Sequence, residues 1–289
     1  MRPTSEAELA DLIRGAEGPL VVRGGGTRTL ASGPGAMLET GGLAGIRLYE
    51  PGALTLVAGA GTPLAEIEAV LAAEGQRLAF EPPDLRALLG LAGESTLGGV
   101  VAANDSGPRR VQAGAARDFC LGVRFVDGTG AVVSNGGRVM KNVTGYDLVK
   151  LMAGSRGTLG VLTEVALKVL PAPGDEASLV LDGLVPEAAV AAMSAALGSP
   201  FEVTGAARLP EGRVALRLEG FAAQVAYRAG ALAAALGRFG SWARLDPDES
   251  RALWRGVREV AAFAGVAGEV WRVSCRPSEA AGLAARAGG

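Results

Sequence analysis

The apolar and polar positions of the chain fall into short alternating and helical runs separated by glycine clusters. Ser5-Glu6-Ala7-Glu8 places a hydroxyl three residues before a carboxylate, so a capped helix is predicted over Ser5–Ala16. Leu20-Val21-Val22 reads as a strand running into Arg23-Gly24-Gly25-Gly26-Thr27-Arg28. Leu54–Ala58 reads as another, closed by Gly59-Ala60-Gly61, after which Thr62 and Pro63 mark the cap and first position of a helix ending near Gly75. Cys120–Val126 and Ala131–Ser134 flank Asp127-Gly128-Thr129-Gly130, a hairpin pattern. A helix is predicted over Thr144–Ala153 and a long strand over the alternating run Leu159–Leu170.

At Pro171-Ala172-Pro173-Gly174 the texture changes, as at a linker. Beyond it the chain is richer in Ala and Arg. Strands are predicted at Leu179–Leu181, Ala206–Leu209 and Arg213–Leu218, and helices at Pro186–Leu197, Phe221–Phe239 and Pro247–Ala264. The expected class is α+β, with one domain over residues 1–172 and a smaller one over 175–289 that sets helices against an antiparallel sheet.

Composition narrows the chemistry. Glycine, 44 of 289 residues, is about twice its usual share and gathers in the first two thirds, where backbone must bend sharply or approach something closely. Net charge is -2 and no basic run occurs, which argues against a nucleic-acid partner. There is no histidine, which excludes Ser-His-Asp and Cys-His triads, His-ligated metals and a flavin tethered through His. Cys120 and Cys275 alone cannot hold an iron–sulphur cluster or a structural zinc, so no metal site is expected. A redox cofactor here would be organic and held mostly by backbone. Met1–Arg14 carries Glu6, Glu8 and Asp11 and no apolar leader core, and no charge-free apolar run reaches the roughly 18–20 residues of a membrane helix. The expected location is the cytoplasm, with a membrane reached only through partners.

Three constellations could carry chemistry. In Arg23–Arg28 a strand opens into three glycines whose amides suit a pyrophosphate, with Thr27 offering a hydroxyl and Arg23 or Arg28 a charge. It is neither a Rossmann fingerprint, since Thr29 stands at the third glycine position, nor a Walker loop. In Glu94–Gly107, Thr96 caps a short helix whose first amides are expected to face a phosphate, and Gly98 and Gly99 leave room for a close neighbour. In Lys141–Leu148 and Gly154–Glu164, glycines at 154, 157 and 160 bracket a strand start on which a planar ring could rest. Gly59-Ala60-Gly61-Thr62 reads as structural. The first two also have a plain structural reading, as a glycine turn and as a capped helix packed through small residues.

Together, in this order, Arg23–Thr27, Thr96-Leu97-Gly98-Gly99, Gly145–Leu148 and Gly154–Thr163 resemble the FAD-binding domain of the vanillyl-alcohol oxidase / p-cresol methylhydroxylase (PCMH) family. Ser106–Arg110, Arg117–Gly122 and Val139–Val143 are similar to the FAD-binding subunits of bacterial glycolate oxidases. The resemblance covers nearly all of 1–172 and thins over 175–289. It implies a non-covalent FAD clasped by a two-subdomain PCMH-type domain. Arg23, Gly24, Gly25, Gly26, Thr27 and Arg28 would hold the pyrophosphate, with Thr96, Gly98 and Gly99 beside it. Asn104, Ser106, Gly107, Asp118, Gly154, Gly157, Gly160, Val161 and Leu162 would line the rest of the cofactor. Lys141, Lys150 and Arg117 are candidates for the positive group near the flavin N1/C2 edge. The implied partners are a catalytic flavoprotein subunit and an iron–sulphur subunit of a glycolate (2-hydroxyacid) oxidase complex.

The chain departs from related single-chain 2-hydroxyacid dehydrogenases at Gly154-Ser155-Arg156-Gly157, where they show Gly-Ser-Glu-Gly, and in lacking their histidines. The family's usual Asp-Pro…Asn-Pro-Gly segment is missing, so part of the second domain is expected to be absent or divergent. Two alternatives stay open: a self-sufficient FAD oxidoreductase with its own substrate site, and a non-catalytic assembly scaffold.

Overall fold

The first helix, α1 (Glu6–Arg14), starts at its predicted cap: the Ser5 hydroxyl accepts from the Glu8 amide, while the Glu8 carboxylate accepts from the amide and hydroxyl of Thr4. The computed structural model describes residues 1–28, 33–138 and 145–287. Contacts divide the chain into two units, Met1–Gly107 with Gly114–Ala172, and Pro108–Ala113 with Pro173–Gly289.

In the first unit β1 (Leu20–Arg23) pairs in parallel with β2 (Ala36–Glu39). Next come β3 (Ile46–Glu50), β4 (Thr55–Gly59), α2 (Leu64–Ala73), β5 (Gln76–Arg77), α3 (Arg86–Leu89) and α4 (Leu97–Ala103). A single turn, α5 (Arg110–Ala113), belongs to the second unit; α6 (Ala116–Phe119), β6 (Cys120–Val126), β7 (Val132–Gly136), α7 (Leu148–Met152), β8 (Val161–Lys168) and β9 (Leu170–Pro171) return to the first. The main sheet is antiparallel, in the order β3-β4-β8-β6-β7. Leu9, Ala10 and Ile13 of α1 pack on Leu38, Leu43, Val126 and Val161, so the apolar face of that helix joins the β1–β2 pair to one end of the sheet.

Two local expectations need correction. Thr62 does not cap α2. Fully buried, its hydroxyl accepts from the Gly45 amide (2.9 Å) and donates to the Gly59 carbonyl (2.7 Å), and α2 begins without a side-chain cap. The helix predicted over Thr144–Ala153 is only α7. Asp147 caps it by accepting from the Lys150 amide, and Gly145 is left-handed at φ +79, a conformation outside any α-helix.

The second unit holds β10 (Asp175–Leu181), α8 (Pro186–Leu197), β11 (Gly205–Arg208), β12 (Val214–Gly220), α9 (Ala222–Ala235), β13 (Ala243–Leu245), α10 (Pro247–Arg258) and α11 (Pro277–Arg286). Its sheet is antiparallel in the order β11-β12-β10-β13. Strand alternation sends Ala177, Leu179, Leu216 and Leu218 into a core with Ala189, Val225 and Leu232 of α8 and α9, where each buried leucine contributes roughly 2 kcal/mol. The opposite face is polar yet buried. Glu176 and Ser178 lie across from Glu219 and Arg217, under Ser250 and Trp254 of α10. Trp254 donates to the Ser178 hydroxyl, Ser250 donates to Glu176, and the Arg217 guanidinium lies 4.6 Å from the Trp254 ring centre.

Burial raises the Glu176 carboxyl above its ordinary range, against the Ser250 hydrogen bond and the charges of Arg217 and Arg109, with Glu219 adding to the rise. An acid whose pKa is raised on folding adds stability below its unfolded pKa and loses it as pH climbs through the folded value. Glu176→Gln keeps the acceptor and removes the charge. It is expected to raise the melting temperature at pH 8 and leave it unchanged at pH 4, as read by thermal melts across that range.

Candidate functional site: a glycine turn against a short helix

β1 ends at Arg23 and the chain turns through Gly24, Gly25 and Gly26, all half-buried, to buried Thr27. The amides of Gly24, Gly25, Gly26 and Thr27 donate to no other described residue. Half-buried amides without partners are uncommon, and four in succession suit an anion. The turn lies directly on residues 93–99: a Cβ on Gly24 would fall 2.6 Å from the Thr96 hydroxyl oxygen and 3.8 Å from the Gly99 Cα, and one on Gly25 would fall 1.5 Å from the Glu94 carbonyl oxygen. Glycine is required here by protein backbone on one side, whatever occupies the other.

The two arginines of the turn behave differently. Arg23 is exposed, its guanidinium curls over Gly26, and it forms no ion pair with a described residue. Arg28 is turned inward. Its side chain is 8% exposed and donates to Asp105 (2.6 Å), to the Pro83 carbonyl (3.0 Å), to the Thr27 hydroxyl (3.1 Å) and to the Ser95 hydroxyl. Burial pulls its pKa below the ordinary arginine value against the opposing charge of Asp105, and a guanidinium stays charged throughout.

The expectation that the first amides of α4 face a phosphate is overturned. Leu97 donates to the Thr62 carbonyl (3.0 Å), Gly98 to the Ala60 carbonyl (2.7 Å) and Gly99 to the Thr96 hydroxyl (3.3 Å). The Gly59–Thr62 turn consumes the first two donors and the Thr96 cap the third. It comes so close that a Cβ on Gly98 would sit 2.8 Å from that of Ala60. That turn is structural, as its sequence suggests, because Gly59, Ala60, Gly61 and Thr62 all donate within the protein. Thr96 and Gly98 are therefore buried supports, and Gly99 is the half-buried member beside Gly24.

The other end of α4 gathers the remaining candidates. Asn104 is left-handed at φ 50 and accepts from the Arg117 amide (3.0 Å); the Ser106 hydroxyl accepts from the Ala116 amide (2.8 Å); Gly107 donates to the Phe80 carbonyl (2.9 Å). Gly154 and Arg156 donate to the Val101 and Ala102 carbonyls, and a Cβ on Gly157 would lie 3.3 Å from that of Val22. The glycine turn, both ends of α4 and residues 154–157 thus form one continuous neighbourhood. Gly160, Val161 and Leu162 lie elsewhere, against β6, with both side chains in the core.

Asp118 accepts from the Ala115 amide (2.8 Å) and lies 3.4 Å from Lys150 Nζ and 3.8 Å from Arg117 Nε. Burial raises its pKa, but these partners outweigh that and hold the carboxyl below the aspartate range. Lys150 and Arg117 are thereby engaged in a partly exposed ion cluster. Lys141 and Asn142 lie outside the described residues. Cys120, buried on β6, has its thiol pushed up to about 12 by burial and is unreactive near neutral pH. Among the described residues no three His, Cys, Asp or Glu side chains form a metal cluster. The Arg28–Asp105–Ser95 hub was not anticipated, since no spacing signal links side chains that far apart in sequence.

The model of the family described as FAD binding domain matches residues 1–136. Over that span the chain is similar to FAD binding domains. Its cofactor is FAD, and its glycine turn and α4 lie inside the matched span, while Gly154–Gly157 lie beyond it. The chain is 46% identical over 163 residues to the glycolate oxidase subunit GlcE of Escherichia coli, covering 56% of this chain and 45% of that protein. It is 32% identical over 167 residues to the glycolate oxidase subunit GlcD of Bacillus subtilis, covering 56% and 34%. It spans less than half the length of these curated relatives. In fold it resembles a solved alkyldihydroxyacetonephosphate synthase, with TM-score 0.67 at 17% identity over 91% of this chain and 56% of that one. The antiparallel sheets of both units, with the helices among them, make the α+β class of the chain plain.

Proposed function

We propose that the chain is the FAD-binding subunit of a multisubunit oxidase of glycolate or a related 2-hydroxyacid, acting with a larger flavoprotein and an iron–sulphur subunit in flavin electron transfer. The observation that carries this reading is the Gly24–Thr27 turn, four amides with no partner among the described residues, beside an Arg23 guanidinium that forms no ion pair with a described residue. That donor set fits a diphosphate. FAD, when bound, would supply a redox centre that exchanges electrons with the flavoprotein that oxidises the alcohol. The chain's own residues do the holding. Gly24–Thr27 would donate to the diphosphate oxygens and Arg23 would offset their charge. Gly99, Asn104–Gly107 and Gly154–Gly157 would present backbone to the rest of the cofactor. Thr96, Gly98 and Arg28 would keep the turn in shape from behind.

The division of labour between subunits draws on two further observations. Over alignments of similar length, identity to GlcE is higher than to GlcD. The chain also has no histidine, the side chain most suited to taking a hydroxyl proton near neutral pH. Substrate oxidation would then fall to the larger flavoprotein. No helix among the described residues is long and apolar enough to cross a membrane, so membrane association would come through the partners.

Titration of the purified chain with FAD, followed by glycolate turnover with and without the larger flavoprotein, tests the proposal. Uptake of FAD with turnover only in the assembled enzyme is expected. No FAD uptake would overturn it, and turnover by the chain alone would establish a self-sufficient oxidoreductase instead. Arg23→Ala is expected to weaken FAD binding about tenfold, the value of one charge-assisted phosphate contact, with an unchanged melting temperature. Fluorescence titration beside a thermal melt reads both quantities.

A further inference from the structure

Between Gly107 and Gly114 the chain makes an excursion. Residues 108–113 belong to the second unit, although their neighbours on both sides in the chain belong to the first. The neck of this loop is closed by two hydrogen bonds, Arg117 amide to Asn104 Oδ1 and Ala116 amide to Ser106 Oγ, and Gly107 is pinned to the Phe80 carbonyl. The tip is one helical turn, in which the amides of Gln112 and Ala113 donate to the Arg109 carbonyl. Arg109 itself is buried, and both arms of its guanidinium donate to Glu219, at 2.8 and 2.6 Å, with the two side chains 6% and 3% exposed.

A buried ion pair stabilises a fold little compared with apolar packing, and its best-attested use is to fix register. A two-pronged arginine–carboxylate contact is directional and specifies position closely. Glu219 is held ready for it, with Arg217 Nε 3.7 Å away and Arg217 itself stacked on Trp254. Arg109 stands two residues after Gly107, a short covalent link between tip and neck.

We propose that the Arg109–Glu219 pair is a positioning device for the cofactor site: by fixing the tip of the 108–113 loop it sets the backbone of Asn104–Gly107 at its neck. This rests on the reading of that neck as part of the FAD site. Arg109 and Glu219 do not touch the cofactor in this scheme; they act through the neck.

The test uses the full chain with Arg109→Met, Arg109→Lys, Glu219→Gln and the Arg109→Met/Glu219→Gln double variant. FAD affinity, the visible absorption band of bound flavin at saturating FAD, and the melting temperature of the FAD-free protein are measured for each. Arg109→Met is expected to weaken FAD binding at least about tenfold and to shift the flavin band, a change that a uniformly less stable protein would not produce at saturation. Arg109→Lys, which restores the charge without the fork, is expected between Arg109→Met and the unaltered chain. The double variant is expected to be no worse than its worse single. A folded Arg109→Met that binds FAD within about twofold of the unaltered chain, with the same flavin band, would overturn the inference. If Arg109→Met fails to fold, unaltered affinity and band in both Arg109→Lys and Glu219→Gln would overturn it equally. Absence of FAD uptake by the unaltered chain would instead bring down the functional reading on which this one stands.

Discussion

Gly25→Ala is expected to abolish FAD binding and to lower the melting temperature of the protein by about 10 °C. The added Cβ would fall 1.5 Å from the Glu94 carbonyl oxygen and 2.6 Å from its carbon. Both are backbone atoms with no rotamer to change, so either the glycine turn or the 93–96 segment must move. Overpacking against side chains typically costs about 1–3 kcal/mol, and displacement of backbone places this case at the upper end or above. The four amides, which donate to no described residue, are successive, so a shift at Gly25 misdirects all of them. Gly24→Ala makes the control: its Cβ would meet the Thr96 hydroxyl at 2.6 Å, a side chain that can rotate away at the loss of one cap, about 1 kcal/mol. Thermal melts and flavin titrations of the two variants should separate clearly. Normal FAD affinity in Gly25→Ala would remove the diphosphate from this turn.

Arg28→Met is expected to have the second-largest effect, a loss of about 3 kcal/mol in stability together with loss of tight FAD binding. The replacement keeps most of the apolar stem but leaves Asp105, 15% exposed, without its partner at 2.6 Å. It also releases Ser95, Thr27 and the Pro83 carbonyl at once. A companion change, Asp105→Asn with Arg28→Met, removes the orphaned charge and is expected to recover part of the stability and little of the FAD affinity, because the turn remains untied. Denaturant melts give the first quantity and flavin titration the second. Equal recovery of both would mean that Arg28 matters to the fold alone.

The elements that were readable in advance share one property: their signals are local. The Ser5 cap, the strand before Gly24, the hairpin around Asp127-Gly128-Thr129-Gly130 and the helix Pro186–Leu197 are each written within a dozen residues. In the hairpin, the Asp127 carboxylate accepts from the amides of Thr129 and Ala131, chemistry that the motif itself encodes. Where local signals misled, a distant competitor had taken the group in question. Thr62 looks like a cap, but Gly45 and Gly59 claim its hydroxyl. The start of α4 looks like a phosphate site, but the carbonyls of Ala60 and Thr62 claim its amides.

The site divides in the same way. That a strand should run into three glycines, that the chain should lack every His-dependent chemistry, and that any redox cofactor should be organic and backbone-held all follow from residue identity and order, because they depend on which groups exist and on steric freedom within a few bonds. Which arginine remains available and which is buried, which glycine faces protein, and where residues 108–113 are anchored depend on partners 60 to 110 residues away in sequence: Ser95 and Asp105 for Arg28, Glu94 for Gly25, Glu219 for Arg109. Packing alone brings those partners within reach. A buried charge or amide must find a partner wherever folding delivers one, and no periodicity along the chain records that choice.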